Sequence, residues 1–146
     1  MISSKKTSRI FADTKVDVRI KLSALWAATM FCYLYADILS LYRPDFLEQI
    51  MIGEIVGFQI NQSFLLRSAV LMSIPTIMIF LSLTLSPKVN RYANMILGIA
   101  HIGLAITTML TPEAWAYYLF DSAVEIVLLS LIVWYAWKWP KQSYSQ

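Results

Sequence analysis

Five ionisable residues interrupt the long apolar stretches of this chain: Asp37, Arg67, His101, Asp121 and Glu125. A charge at the centre of a membrane-spanning helix costs roughly 2.5–3.5 kcal/mol on insertion scales, so such residues are paired, hydrated or functional. Here three carboxylates face one arginine and one histidine. Even with His101 charged, one negative charge remains when every carboxylate is ionised. A low-dielectric site answers such an excess by keeping a proton or admitting a cation. Glu125, the deepest carboxyl, is the one best suited to carry a proton, and Arg67 is expected to pair with Asp37 or Asp121.

Spacing groups these residues further. Tyr33 and Asp37 are four apart, and Tyr118, Asp121 and Glu125 recur at three and four, so each set shares one helical stripe. With a rise of about 1.5 Å per residue, all five ionisable groups fall in the middle or one half of a bilayer. One inward-facing constellation of Tyr33, Asp37, Arg67, His101, Asp121 and Glu125 is therefore expected as a ligand-binding site. His101 with the carboxylates could surround a metal, but the helical Glu-x-x-His pairs of di-metal bundles are absent and no metal is expected. No cofactor is expected either. Nucleophile elbows, Gly-rich phosphate loops and His-x-x-x-His are missing, and nothing marks the chain as an enzyme. An acid–base role for Glu125 or Asp121 with His101 is the one enzymatic alternative.

The elements that must position these groups are four apolar runs, at about 21–42, 64–85, 91–110 and 114–137. A helix needs about 20 apolar residues to cross a hydrocarbon core of about 30 Å. The whole chain of 146 residues is 58% hydrophobic and only 14% charged. Soluble domains carry about 25% charged residues, so the composition is that of a membrane protein. The expected fold is an all-α, antiparallel four-helix transmembrane bundle, with short connections making spans two and three, and three and four, neighbours. The expected domains are a cytoplasmic tail over 1–19, a transmembrane domain over 20–139 and a second cytoplasmic tail over 140–146. No internal repeat is evident.

Basic residues set the orientation. Lys5, Lys6, Arg9, Lys15, Arg19 and Lys21, then Lys88 and Arg91, then Lys138 and Lys141 lie on one side of the spans. The other side has Arg43 with Asp45, Glu48, Glu54 and Glu113. The positive-inside rule puts both termini in the cytoplasm, in the inner membrane. Belts of Tyr42, Trp115, Tyr117 and Tyr118, and of Tyr92, Trp134, Tyr135, Trp137 and Trp139, agree with those boundaries. The basic residues form no nucleic-acid motif. Cys32 stands alone, which removes disulfide and Cys-x-x-Cys redox chemistry. The first 19 residues hold no apolar run, so span one is expected to act as an uncleaved anchor.

Punctuation completes the reading. Thr14 with Asp17 suits a helix start, and Ser86-Pro87 and Thr111-Pro112 separate the later spans, with Pro112 and Glu113 suited to a first turn. Asn61 or Ser63 is expected to cap span two, and Pro75 to kink it. In the long connection from Arg43 to Ser63, Pro44-Asp45 opens a short helix with Phe46, Leu47, Ile50 and Met51 on one face and Gly53 as its stop. That helix is expected to lie at the outer membrane surface, either as a packed plug or as a lid. On span three, Asn94, Gly98, His101, Ala105 and Thr108 form a small-and-polar stripe.

The stretches Tyr35-Ala36-Asp37-Ile38-Leu39, Ile74-Pro75, Leu81-Ser82-Leu83 and Asn90-Arg91 resemble a family of small bacterial four-span membrane proteins of unknown function with a long first loop. The resemblance covers Trp26 to His101 and implies architecture and location, with no activity to transfer. Two readings of the polar residues stay open. One is an outward-facing pocket that binds or transports a small cation, proton or lipid-like ligand. The other is an accessory subunit whose charges pair helices, a second copy in a homodimer, or a membrane partner.

Overall fold

The computed structural model describes residues 15–110 and 115–140. Its elements run α1 (Val18–Ser40), α2 (Pro44–Met51), β1 (Glu54–Ile55), β2 (Phe58–Gln59), α3 (Gln62–Thr84), α4 (Pro87–Met109) and α5 (Ala116–Trp137). Helices α1, α3, α4 and α5 are long and apolar enough to cross a bilayer. This is a multi-pass membrane protein, with the expected short helix between spans one and two.

Local signals set the helix ends. Asp17 caps α1, its carboxylate accepting the Arg19 amide at 2.7 Å. Asn61 caps α3 by accepting the Phe64 amide at 2.9 Å. Pro87 occupies the first turn of α4, where its missing amide is no loss, so α4 starts four residues before the apolar run does. Thr14, Pro112 and Glu113 lie outside the described residues. Helix α3 continues through the buried Pro75. The hydroxyls of Ser73 and Thr76 donate to the Val70 and Met72 carbonyls beside it.

Each helix buries a narrow stripe. On α5 it is Ser122, Glu125, Leu129, Ile132 and Ala136, alternating three and four as in left-handed helix packing. On α4 it is Asn90, Asn94, Gly98, His101 and Ala105. The outward faces are apolar, among them Phe31, Leu66, Phe80, Ile96 and Phe120. Inside-polar and outside-apolar is the arrangement that lipid demands, because a lipid-facing polar group has nothing to bond.

Helix α5 packs along both α1 and α4, and α3 packs along α1. Helices α3 and α4 scarcely touch, although the link between them is short. The expectation that spans two and three are neighbours is therefore corrected. Their hydrogen bonds sit beside the link: Asn90 donates to the Ser82 carbonyl at 2.6 Å, and the Ser82 hydroxyl to Asn94 Oδ1 at 3.4 Å. Asn94 also donates to the Asn90 side chain at 2.6 Å and accepts from Trp26 Nε1 at 2.7 Å, so α1 is tied to α4. Asn90, Asn94 and Trp26 have no exposed surface. A core of Leu22, Met78, Leu129 and Ile132 surrounds this network.

At the opposite end, β1 and β2 form a two-residue-per-strand hairpin, with Glu54 opposite Gln59 and Ile55 opposite Phe58. Its turn residues Val56 and Gly57 both have positive φ, 48° and 79°, as a type I′ turn requires. Val56 is a β-branched residue in an unfavourable region. Its amide donates to Gln49 Oε1 at 3.3 Å, which fastens the turn to α2.

Two substitutions test this packing. Asn94→Leu orphans the Trp26 indole N–H and Asn90 Oδ1, each in a buried side chain, and should destabilise the protein by about 1–3 kcal/mol, read as a lower melting temperature in detergent. A Cβ on Gly98 would stand 2.8 Å from Val133 Cγ2, on a branched side chain with little rotamer freedom. Gly98→Leu should therefore separate α4 from α5 at a cost of about 1–3 kcal/mol, in the same melting measurement.

Candidate functional site

The half of the bundle away from the asparagine network is built differently. There α1, α3, α4 and α5 enclose a cavity of about 180 Å³. Helix α1 contributes Cys32, Tyr33 and Asp37, and α5 contributes Tyr118, Asp121, Ser122 and Glu125. Leu71 and Met72 of α3 and Leu104, Ala105 and Thr108 of α4 complete the wall. Asp37, Asp121 and Glu125 thus line one space, and among the described residues no Lys or Arg lines it.

Glu125 is only 7% exposed, and its Oε1 has no hydrogen-bond partner in the protein. The Tyr33 hydroxyl is buried beside this carboxyl and interacts with it, at a geometry looser than an ordinary hydrogen bond. His101 is buried directly behind, its ring tilted against Tyr33 at 6.4 Å and edge-on to Trp26 at 5.6 Å. Its Nδ1 lies 2.9 Å from the Leu97 carbonyl, which can only accept, so Nδ1 carries the proton and donates. In the neutral ring Nε2 is then an acceptor, and it is buried without a partner. Native interiors seldom leave such groups unpaired, since each costs about 1–3 kcal/mol. The carboxylate oxygen and the imidazole nitrogen are acceptors and suit a species that donates hydrogen bonds or carries positive charge, whereas the phenol O–H is itself a donor.

Of the residues expected at the site, Tyr33, Asp37, Asp121 and Glu125 line the cavity and His101 backs it through Tyr33. Arg67 does not join them. It is exposed on α3 and forms no ion pair with Asp37 or Asp121, so that expected pairing is corrected. The reason is rotational: Arg67 has the right depth, but α3 turns Pro75, Met78 and Ser82 inward. Among the described residues the ion pair present is Arg43 with Asp45, at the mouth end. Among them, too, no three His, Cys, Asp or Glu side chains are arranged to hold a metal ion.

A family model for DUF6326, a family of unknown function, matches residues 9–146. The chain belongs to that family. No curated protein and no solved structure matches it. In this DUF6326 chain the four-span resemblance read from short motifs is thus carried by nearly the whole length.

Sequence reasoning missed part of the site and its support. Ser122 and Cys32 line the cavity, yet a lone serine or cysteine in an apolar run gives no signal of its facing. Trp26 read as one more apolar residue, although a deep indole needs a partner for its N–H. Between α1 and α2, Arg43 lies over the Trp115 ring at 4.6 Å and reaches the Tyr117 hydroxyl, which contacts Ser40 Oγ at 2.8 Å. The start of α2 is thereby fixed to the start of α5.

Pairing with Arg43 lowers the Asp45 carboxyl below its ordinary 3.8. The contribution of this pair is complete above that ordinary value and is lost as pH falls through the lowered one. An NMR titration of the Asp45 side chain in the DUF6326 protein should show the lowered midpoint, and Arg43→Gln should return it toward 3.8.

Proposed function

We propose that this protein binds a small cation in an intramembrane cavity open toward the outer side of a bacterial inner membrane. The observation that carries the reading is the convergence of Asp37, Asp121 and Glu125 on one cavity, with buried, unpartnered acceptors at its floor. In a medium of low dielectric three carboxylates repel one another, and a bound cation or retained proton relieves that repulsion.

The order of the groups suggests a path. Asp37 is exposed near the end of α1, Asp121 lies deeper on α5, and Glu125 lies one turn further on the same stripe. Beyond Glu125, among the described residues, come the Trp26–Asn94–Asn90 network and the packed core around Leu129, which favours access from one side. The site is reached from one side, and transport would require the packed half to open. Orientation follows from charge. Among the described residues Lys15, Arg19, Lys21, Lys88, Arg91 and Lys138 cluster at the end opposite the cavity, which the positive-inside rule assigns to the cytoplasm together with both terminal tails. One transmembrane domain over 20–139 then makes up the functional unit.

A second reading, as an accessory subunit, is supported by α3, which packs mainly along α1 and touches α4 beside their link, leaving a flank for a membrane partner or a second copy.

Cys32 is the chain's one cysteine and lines the cavity, so it reports on the site without mutation. In oriented vesicles, a trimethylammonium methanethiosulfonate added from the outside should label Cys32 at least about tenfold faster than its sulfonate counterpart. A unit charge about 10 Å away at an effective dielectric of about 20 contributes about 1.7 kcal/mol, enough for that ratio. Asp121→Asn with Glu125→Gln should shrink it. Equal rates for the two reagents, or faster labelling by the anion, would remove the cation-binding proposal.

A further inference from the structure

The cavity has two chemically different walls. Every carboxylate that lines it comes from α1 or α5, and Tyr33 and Tyr118 come from the same two helices. The facing wall is Leu71 and Met72 of α3 with Leu104, Ala105 and Thr108 of α4, apolar but for the Thr108 hydroxyl. Those two helices are the pair that scarcely touch, and their hydrogen bonds all lie at the far end beside Ser82. Away from that end they flank the cavity instead of packing on each other. The largely apolar stretch of wall that these two loosely joined helices share can seat an apolar body.

From this division we infer that the cation is an amphiphilic ammonium ion, with its head on the α1/α5 carboxylates and its apolar body between α3 and α4. The inference rests on the cation-binding reading above and names the ligand class for the same site. A bare metal ion does not suit the cavity: its three carboxylates share the space, yet among the described residues no three His, Cys, Asp or Glu side chains are arranged to hold one. Size agrees: one water needs about 10–15 Å³, and about 180 Å³ is present. An ammonium head supplies what the floor lacks, N–H donors or positive charge for Glu125 Oε1, which is more than nine-tenths buried and unpartnered. The rings of Tyr33 and Tyr118 add faces on which a cation is favoured. The tail gains by leaving water for the α3/α4 wall.

The test uses methylammonium, butylammonium and octylammonium as competitors of cationic Cys32 labelling, with the full chain in lipid nanodiscs. Binding of tritiated octylammonium serves as a second measurement. The protective concentration should fall by up to about fourfold per added methylene, the scale for burying one CH2. Leu71→Gln or Leu104→Gln should flatten that dependence, and Glu125→Gln should weaken protection by every member. Octanesulfonate, with the same tail and the opposite charge, should not protect. Protection that does not change with chain length while still depending on Glu125 would overturn this inference and leave the cation site standing. Equal octylammonium binding in the parent protein and Glu125→Gln would reduce the effect to partition into lipid and would also overturn it. No binding by any ammonium ion, in protein that melts cooperatively, would remove both readings.

Discussion

Within a bilayer, a polar side chain must find its partner inside the protein, and Asn94 shows how much structure that one demand can fix. Its side chain accepts from Trp26 of α1 and Ser82 of α3 and donates to Asn90 of its own helix. Three spans therefore meet at one fully buried amide. Interhelical hydrogen bonds in membranes average only about 0.6 kcal/mol, so the energy of any single bond is small. The specificity is large, because sliding any of the three helices would strand a donor or acceptor where no water replaces it. Gly98, one turn further along α4, sets the distance to α5 in the same way by excluding a Cβ.

The contrast between the two halves of the bundle is the main structural fact about function. One half closes every polar group of the asparagine network on another and packs Leu22, Met78, Leu129 and Ile132 around it. The other gathers buried, unpaired atoms of Tyr33, His101 and Glu125 beside two further carboxylates and a cavity, while at the packed end Arg91 Nε is likewise buried without a partner. His101 sits at the boundary, touching Trp26 on one side and Tyr33 on the other. A protein that used its polar residues solely to hold helices together would have no evident need for this asymmetry.

Much of this was legible in the residues. Apolar runs of the right length found all four spans, and spacings of three and four gave the α4 stripe and the shared face of Tyr118, Asp121 and Glu125. Those signals are local, since helical period fixes which residues of one helix face together. How each helix is rotated against its neighbours depends on packing, so Arg67 had the correct depth and the wrong face. The same limit misplaced α3 beside α4: a short link brings two ends together but does not hold the rest of the helices in contact. The hairpin was hidden for another reason. Its turn is Val56-Gly57, and a β-branched residue at positive φ is what turn propensities argue against. There the register and the Gln49 contact to Val56 override local preference.

Helix order in space bears on biogenesis. Because α5 lies between α1 and α4, the final arrangement cannot form while α5 is still unmade. The first three spans, entering the membrane in turn, would have α3 resting on α1 and α4 held by its linker, the Ser82–Asn90 bond and the Trp26–Asn94 bond to α1. Until the ribosome delivers the last segment, the face of α4 that carries Gly98, His101 and Ala105 has no α5 to pack against. A nascent chain stalled before Ala116 would thus expose the surface around Gly98 to lipid or to the insertion machinery, and quality control could distinguish it from the finished bundle by that face.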